Sequence, residues 1–195
     1  MLELYLIRHP ETLGGVDLIK GHNDIGLKPG WETSVDVLAA ELANQGSFDA
    51  FFSSDLQRTI LPAERIVAYL RKKQERPIEF RAMELLRERN LGVLQGKKYE
   101  EVDAKGKSLV DYIFEEEDIL EGESKTDTIR RVETFATEHL QKYIENGGRV
   151  GIVGHGWWIN YLINFLFGYY SRAYNLMGNL KMILLLIDCK NSIEF

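Results

Sequence analysis

The sequence predicts an α/β fold: a three-layer α/β/α sandwich with a mostly parallel central sheet and a small helical insertion over one end of it. Two observations predict it. Short apolar runs alternate with longer segments whose apolar residues recur at helical spacing, and this alternation builds parallel sheets covered by helices on both faces. Arg149 to Val153 is a strongly apolar run of the buried-strand type. The 195 residues, 45% of them hydrophobic, can bury a substantial core without metal or disulfide staples, as one domain carrying a small lid.

Leu2 to Ile7 reads as the first strand. Trp31, Val35, Leu38, Ala39 and Leu42 recur at helical spacing and give the first helix. Phe48 to Phe52 is a second strand. Ser54 followed by Gln57 has the form of a capping box, opening a helix with Leu56, Ile60, Ala63, Ile66, Val67 and Leu70 on one face. Pro62 inside that pattern predicts a kink, because its ring crowds the carbonyl of Arg58. Pro77 to Arg81 is a candidate third strand, and Ser108 to Glu116 a short helix. Ile129, Val132, Ala136, Leu140 and Tyr143 mark a long helix ended by Asn146-Gly147-Gly148. After the Arg149 strand, Trp158, Tyr161, Leu162, Phe165, Leu166 and Tyr169 give another helix, and Met182 to Ile187 a last strand. Residues 82–122 fit the alternation poorly and read as the lid, within a single domain spanning 1–195.

Composition narrows the function. With 24 Lys plus Arg against 30 Asp plus Glu, the net charge of −6 argues against a nucleic-acid partner. The single cysteine, Cys189, forms no internal disulfide and points to a reducing, cytoplasmic setting; no secretory leader is visible. No stretch reaches the ~20 apolar residues of a membrane span. The apolar segment Trp157 to Tyr170 suits either a buried helix or the face of a homodimer. Glu115-Glu116-Glu117-Asp118 reads as a solvated charge run.

Ligands of open α/β sheets bind beyond the carboxyl ends of the strands. Three strand ends here carry polar groups: Arg8-His9-Pro10-Glu11-Thr12, Ser53 through Arg58, and Gly154-His155-Gly156. The last precedes a helix, whose free N–H groups favour an anion. Two arginines and two histidines converging on one crevice would make a cationic cup. Guanidinium groups take phosphate oxygens through forked hydrogen bonds, and a neutral imidazole can attack phosphorus. Singly, each feature is more often structural; their joint placement points to phosphate binding and phosphoryl transfer.

These residues resemble the histidine phosphatase superfamily, also called the phosphoglycerate-mutase-like family. The resemblance covers nearly the whole chain. Leu6 to Thr12 is similar to the family's Arg-His-Gly-Glu-Thr motif, and Gly21 to Leu27, with Asp24, to its Gly-x-x-Asp-x-x-Leu segment. Ser53-Ser54-Asp55-Leu56-Gln57-Arg58-Thr59 resembles its Ser-Ser-Asp-Leu-x-Arg stretch. Leu86 to Gly96, then Gly122-Glu123-Ser124 with Arg131-Val132, and finally Val153-Gly154-His155-Gly156 complete six motifs in the family's order.

The resemblance implies a role for each matched position. His9 would be the nucleophile. Arg8, Arg58 and His155 would hold the phosphoryl oxygens, and Glu88 would be the general acid and then the base. No metal and no cofactor is implied. Glu84, one helical turn earlier, is the rival acid, with a solvated or ion-paired place as its alternative; Glu11 takes a structural place. His22 and His139 read as bystanders. Two positions depart from the family: Pro10 replaces its Gly and has no N–H, and Gly15 stands where it often has Asn as a phosphate ligand. Asn23, Thr12 and the N–H of Gly156 are the candidates to compensate. Trp157 and Trp31 either wall the pocket or pack as core indoles.

The implied activity is hydrolysis of a small phosphomonoester, the overall pattern being closest to the α-ribazole phosphatase type. Mutases of the family are longer and carry a larger lid insertion, whereas this chain has only Lys97 to Glu121 between the Glu88 motif and Gly-Glu-Ser. The alternatives are a phosphoglycerate-type mutase and a weakly active, phosphate-ester-binding regulatory protein.

Overall fold

The computed structural model describes residues 1–103, 112–113, 118–168 and 180–187. Among the described residues, five strands form one sheet in the order β3-β2-β4-β1-β5: β1 (Leu2–Arg8), β2 (Ala50–Ser54), β3 (Glu79–Met83), β4 (Gly148–Gly154) and β5 (Met182–Ile187). β1, β2 and β3 join β4 in parallel array, and only β5 runs antiparallel, at the edge beside β1. The strand-to-strand returns are made by α1 (Trp31–Ala43), α2 (Gln57–Arg71), α3 (Lys125–Phe135), α4 (Gln141–Asn146) and α5 (Gly156–Phe167).

The period-two direction of side chains splits each strand between two cores. On β1, Leu2, Leu4 and Leu6 face α3, α4 and α5, while Tyr5 and Ile7 face α1 and α2. On β2, Phe52 joins the first core and Phe51 the second. Both faces of the sheet are therefore closed by helices, the three-layer sandwich expected. Gly151 of β4 has a specific duty: a Cβ there would collide with the ring of Phe51 on the neighbouring strand. At that position the sheet accommodates a phenyl ring only because β4 offers no side chain.

Several boundaries moved. β2 and β3 begin and end two residues later than the apolar runs, since hydrogen bonding to β4 and β2 carries each strand beyond its most apolar stretch. The capping box at Ser54 is not formed. Ser54 belongs to β2, and its Oγ accepts from the Leu56 N–H at 3.3 Å. The first turn of α2 is instead capped from a distant loop, where Asp24 Oδ1 accepts from the Gln57 N–H at 2.9 Å. Pro62 lies buried in α2, and the helix runs on through it to Arg71. The long helix is divided: α3 and α4 are joined by a π-helical turn, Ala136–Leu140. Gly147, at φ 79°, then ends α4 in a conformation that a side chain would strain. The helix expected at Ser108 to Glu116 lies outside the described residues except for Tyr112 and Ile113, as do Tyr169, Cys189 and most of the acidic run. Among the described residues, no helix is long and apolar enough to cross a membrane.

The described part of 82–122 lies over the carboxyl end of the sheet as three single 3₁₀ turns, Glu84–Leu86, Gly92–Leu94 and Tyr99–Glu101. A third cluster anchors it, with Leu91, Leu94, Ile113 and Ile119 packed on Ile19 and Trp157. Backbone bonds from Ile19 to Lys97, from Gly96 to Ile19 and from Tyr99 to Asp17 tie this segment to the loop after β1.

Candidate active site

The strand order explains why distant sequence motifs meet. β4 lies between β1 and β2, and neighbouring strands are ~4.8 Å apart. The carboxyl ends of β1, β4 and β2 therefore deliver Arg8-His9, His155 and the start of α2, with Arg58, to one place. One pocket is lined by Arg8, His9, Lys20, Arg58, Glu88 and Trp157, with Leu18, Leu91, Tyr99 and Ile113 among its walls.

His9 is buried, and its Nδ1 lies 2.7 Å from the carbonyl oxygen of Pro10. A carbonyl can only accept, so Nδ1 carries the proton and, in the neutral ring, Nε2 keeps its lone pair. The missing N–H of Pro10 is thus no loss at this contact, because its carbonyl is the group used. Burial and the charges of Arg58 and Arg8 hold the His9 pKa well below the ordinary range. The His155 ring stands edge-on to it, with centroids 5.3 Å apart. His155 is fully buried and, among the described residues, neither ring nitrogen has a partner. Burial and the Arg58 charge hold its pKa well down too.

Arg58 is placed by backbone oxygens. Its Nη1 donates to the Asn23 carbonyl at 2.8 Å and its Nη2 to the Gly21 carbonyl at 2.6 Å. The Arg8 guanidinium lies over Gly156, about where a Cβ would make ordinary contact at 3.6 Å. The buried Arg58 and the half-buried Arg8 thus share one crevice, where burial, opposed by the charges of Glu88 and Asp24, lowers the Arg58 pKa.

Glu88 comes from the insertion and is buried. Its carboxyl group sits against the first turn of α5: Oε1 accepts from the Trp158 N–H at 3.1 Å and Oε2 from the Trp157 N–H at 3.2 Å. Those bonds favour the carboxylate, yet burial prevails and raises its pKa above the usual carboxylate value. The segment that carries Glu88 is held by a clamp. Arg131 of α3 donates to the carbonyls of Leu85 at 2.8 Å and Arg87 at 3.0 Å, while Glu123 pairs with it at 2.6 and 2.8 Å. His22 Nε2 donates to the Glu88 carbonyl at 2.7 Å. The Trp158 indole N–H donates to the Leu85 carbonyl at 2.7 Å.

A model of the histidine phosphatase superfamily, branch 1, matches residues 4–189. The chain belongs to the histidine phosphatase superfamily. The 2,3-bisphosphoglycerate-dependent phosphoglycerate mutase of Bartonella henselae is 32% identical over 158 residues, 78% of this chain and 75% of that one. The solved mycobacterial glucosyl-3-phosphoglycerate phosphatase superposes with a TM-score of 0.76 at 24% identity, covering 97% of this chain and 94% of that one. A phosphoserine phosphatase from Entamoeba histolytica, solved with 3-phosphoglyceric acid, gives a TM-score of 0.68 at 26% identity over 95% and 91%. The family and the Bartonella relative support an enzyme with phosphatase or mutase activity.

Within this member of the superfamily, Arg8, His9, Arg58, Glu88 and Trp157 all line the one pocket. Gly156 opens α5 beside it. Thr12, Asn23 and His155 lie outside its lining, the fully buried His155 standing beside His9. Thr12 is buried in a bridge to Leu27, and Asn23 contributes its backbone carbonyl to Arg58. Trp31 lines a separate cleft with Pro10, Lys28 and Leu180. Glu84 is exposed and pairs with Arg87 at 3.2 Å, and Glu11 pairs with Lys28 at 3.1 Å. His139 packs near Phe52 and Phe135. His22 is no bystander, since it holds the Glu88 backbone. Sequence reading also passed over Lys20 and Tyr99. Neither lies on a periodic face nor in a matched motif, so only the pairing of their two loops reveals them. Among the described residues, no group of three His, Cys, Asp or Glu side chains is disposed to hold a metal ion.

Proposed function

We propose that the protein is a phosphatase that hydrolyses small phosphomonoesters through a phosphoryl group carried transiently on His9. The observation that carries this reading is the pair His9 and Glu88 in one pocket, moved in opposite directions by their surroundings. The imidazole is kept neutral and the carboxyl is drawn toward its protonated form. A neutral imidazole is a nucleophile and a protonated carboxyl an acid, so each group stands ready for its first step.

His9 Nε2 attacks phosphorus, and the bond from phosphorus to the ester oxygen breaks. The leaving oxygen takes the proton of Glu88. The ring then carries a positive charge, which the Pro10 carbonyl stabilises through Nδ1–H. In the second step the Glu88 carboxylate takes a proton from water as the water attacks phosphohistidine, which frees inorganic phosphate and restores both groups. Arg8, Arg58 and an N–H of His155 hold the phosphoryl oxygens, where charge builds in each transition state. His9, Glu88, His155, Arg8 and Arg58 supply this chemistry without a metal or a cofactor.

Phosphoserine and glucosyl-3-phosphoglycerate phosphatases among the structural relatives support a small phosphate ester as substrate. The α-ribazole phosphatase pattern of the sequence adds a nucleotide-like monoester to the substrates to be assayed. The Bartonella relative favours a mutase as second reading. Against it stands the short span from Lys97 to Glu121, too little chain to build the larger lid that shields phosphohistidine from water.

The test is phosphate release from p-nitrophenyl phosphate with excess EDTA, for wild type and His9→Ala. Turnover should survive EDTA and vanish in the mutant. Loss of turnover to EDTA, or retention of it in His9→Ala, would overturn the mechanism. Phosphate release from 3-phosphoglycerate without a bisphosphate separates hydrolase from mutase.

A further inference from the structure

We propose that Lys20 is a third cationic ligand for the phosphoryl group, presented by the loop that follows the nucleophile. This inference rests on the phosphate-ester reading of the pocket. The Lys20 side chain lines the same pocket as Arg8, His9 and Arg58. Its ammonium is set in place by two carbonyls, Gly15 at 2.8 Å and Leu18 at 2.9 Å. An ammonium has three N–H donors. Among the described residues two of them are taken by these carbonyls, which leaves one for an anion.

The loop is shaped for this contact. Gly14 and Gly15 both adopt positive φ, 86° and 78°, so the chain turns back on itself and aims its carbonyls at Lys20. Gly15 has no side chain to occupy the space, and its contribution passes through its oxygen to the ammonium. The loop is fixed in turn by the bridge between Leu18 and Lys98 and the bond from the Tyr99 N–H to the Asp17 carbonyl. Lys20 is therefore held at the pocket rather than swinging free in solvent.

The charges around Lys20 come from three elements. Arg8 on β1 and Arg58 on α2 oppose its protonation, Asp17 and Glu11 of its own loop favour it, and burial opposes it most; together they bring its pKa down to about 8. The two guanidinium groups that would grip a phosphoryl dianion are thus the ones that repel this ammonium. A dianion entering between them turns that repulsion into shared attraction, and keeps Lys20 protonated to higher pH.

Calorimetric binding of tungstate, a tetrahedral dianion, tests this for wild type, Lys20→Met and Lys20→Arg, from about pH 7 to about pH 9.5. Wild-type affinity should fall as pH rises through about 8. Lys20→Met should bind on the order of tenfold or more weakly at pH 7, with a flat profile, because a charge-assisted hydrogen bond is lost. Lys20→Arg should restore binding and remove the break near pH 8, since a guanidinium does not titrate there. Unchanged tungstate affinity in Lys20→Met with only a lowered Tm would overturn the proposal and leave Lys20 as a loop tether. Failure of the wild type to bind tungstate would overturn it as well. Lys20-dependent binding in a protein that releases no phosphate from any ester would instead sink the phosphatase reading and spare this one.

Discussion

At the scale of the residue, the site depends on placing charge where water cannot neutralise it. His9 and Glu88 are both buried, and burial pushes each toward its neutral form. The hydrogen bond to the Pro10 carbonyl then decides which nitrogen of His9 keeps its lone pair. Replacing Glu88 by Gln keeps the shape but removes the transferable proton, and kcat for an ester with a poor leaving group should fall by on the order of 10²-fold or more. An ester such as p-nitrophenyl phosphate, whose leaving group needs no proton, should lose less in the first step. In wild type, kcat/KM should decline as pH rises through the raised Glu88 pKa, because only the protonated acid serves the first step. The variant should lack that limb, and a pH–rate profile for both proteins checks it.

At the scale of the element, short segments without regular structure carry Glu88, and the helices around them hold it still. Arg131 on α3 does this by gathering four backbone carbonyls and the Glu123 carboxylate. The Arg131 charge holds the Glu123 pKa below the ordinary carboxylate value. A depressed carboxylate pKa adds stability above the unfolded-state value, and that stability is lost as pH falls through the folded-state value. Arg131→Met should therefore destabilise the protein by about 2 kcal/mol near neutrality, less under strong acid, and should lower kcat by loosening the Glu88 segment. Denaturant melts at two pH values and one kinetic assay measure both effects. On β4, Gly151→Ala should cost about 1–3 kcal/mol, because the ring of Phe51 already fills the space. Chemical denaturation reads this directly, with catalytic constants unchanged if the shift stays within the sheet.

At the scale of the whole molecule, the strand order β3-β2-β4-β1-β5 brings three strand ends together under the insertion to make the site. An anion held between β1, β4, α2 and the insertion binds only the folded state, so it should stabilise the entire domain. At a hundred times its Kd, tungstate should add ~2.7 kcal/mol, a rise in Tm of about 5–10 °C for a chain of this size. Differential scanning fluorimetry gives the shift, and a Tm that ignores the anion would mean that the pocket does not hold it.

The sequence by itself determined the layers and the strands, and it pointed to the candidate groups of the site. Apolar periodicity depends on residue type and spacing alone, so it marked β1, α1, α2 and the apolar β4 to within a few residues, and the motifs named Arg8, His9, Arg58, Glu88 and His155. Only the tertiary structure decided what surrounds them. The cap of α2 comes from Asp24 rather than Ser54, the position of Glu88 is governed by Arg131 and His22, and Lys20 joins the pocket across a loop pairing. Each of these is a contact between residues far apart in the chain, or through a backbone carbonyl that every residue type possesses. Neither kind leaves a mark in local residue pattern, because it is fixed by where the sheet brings its strand ends together.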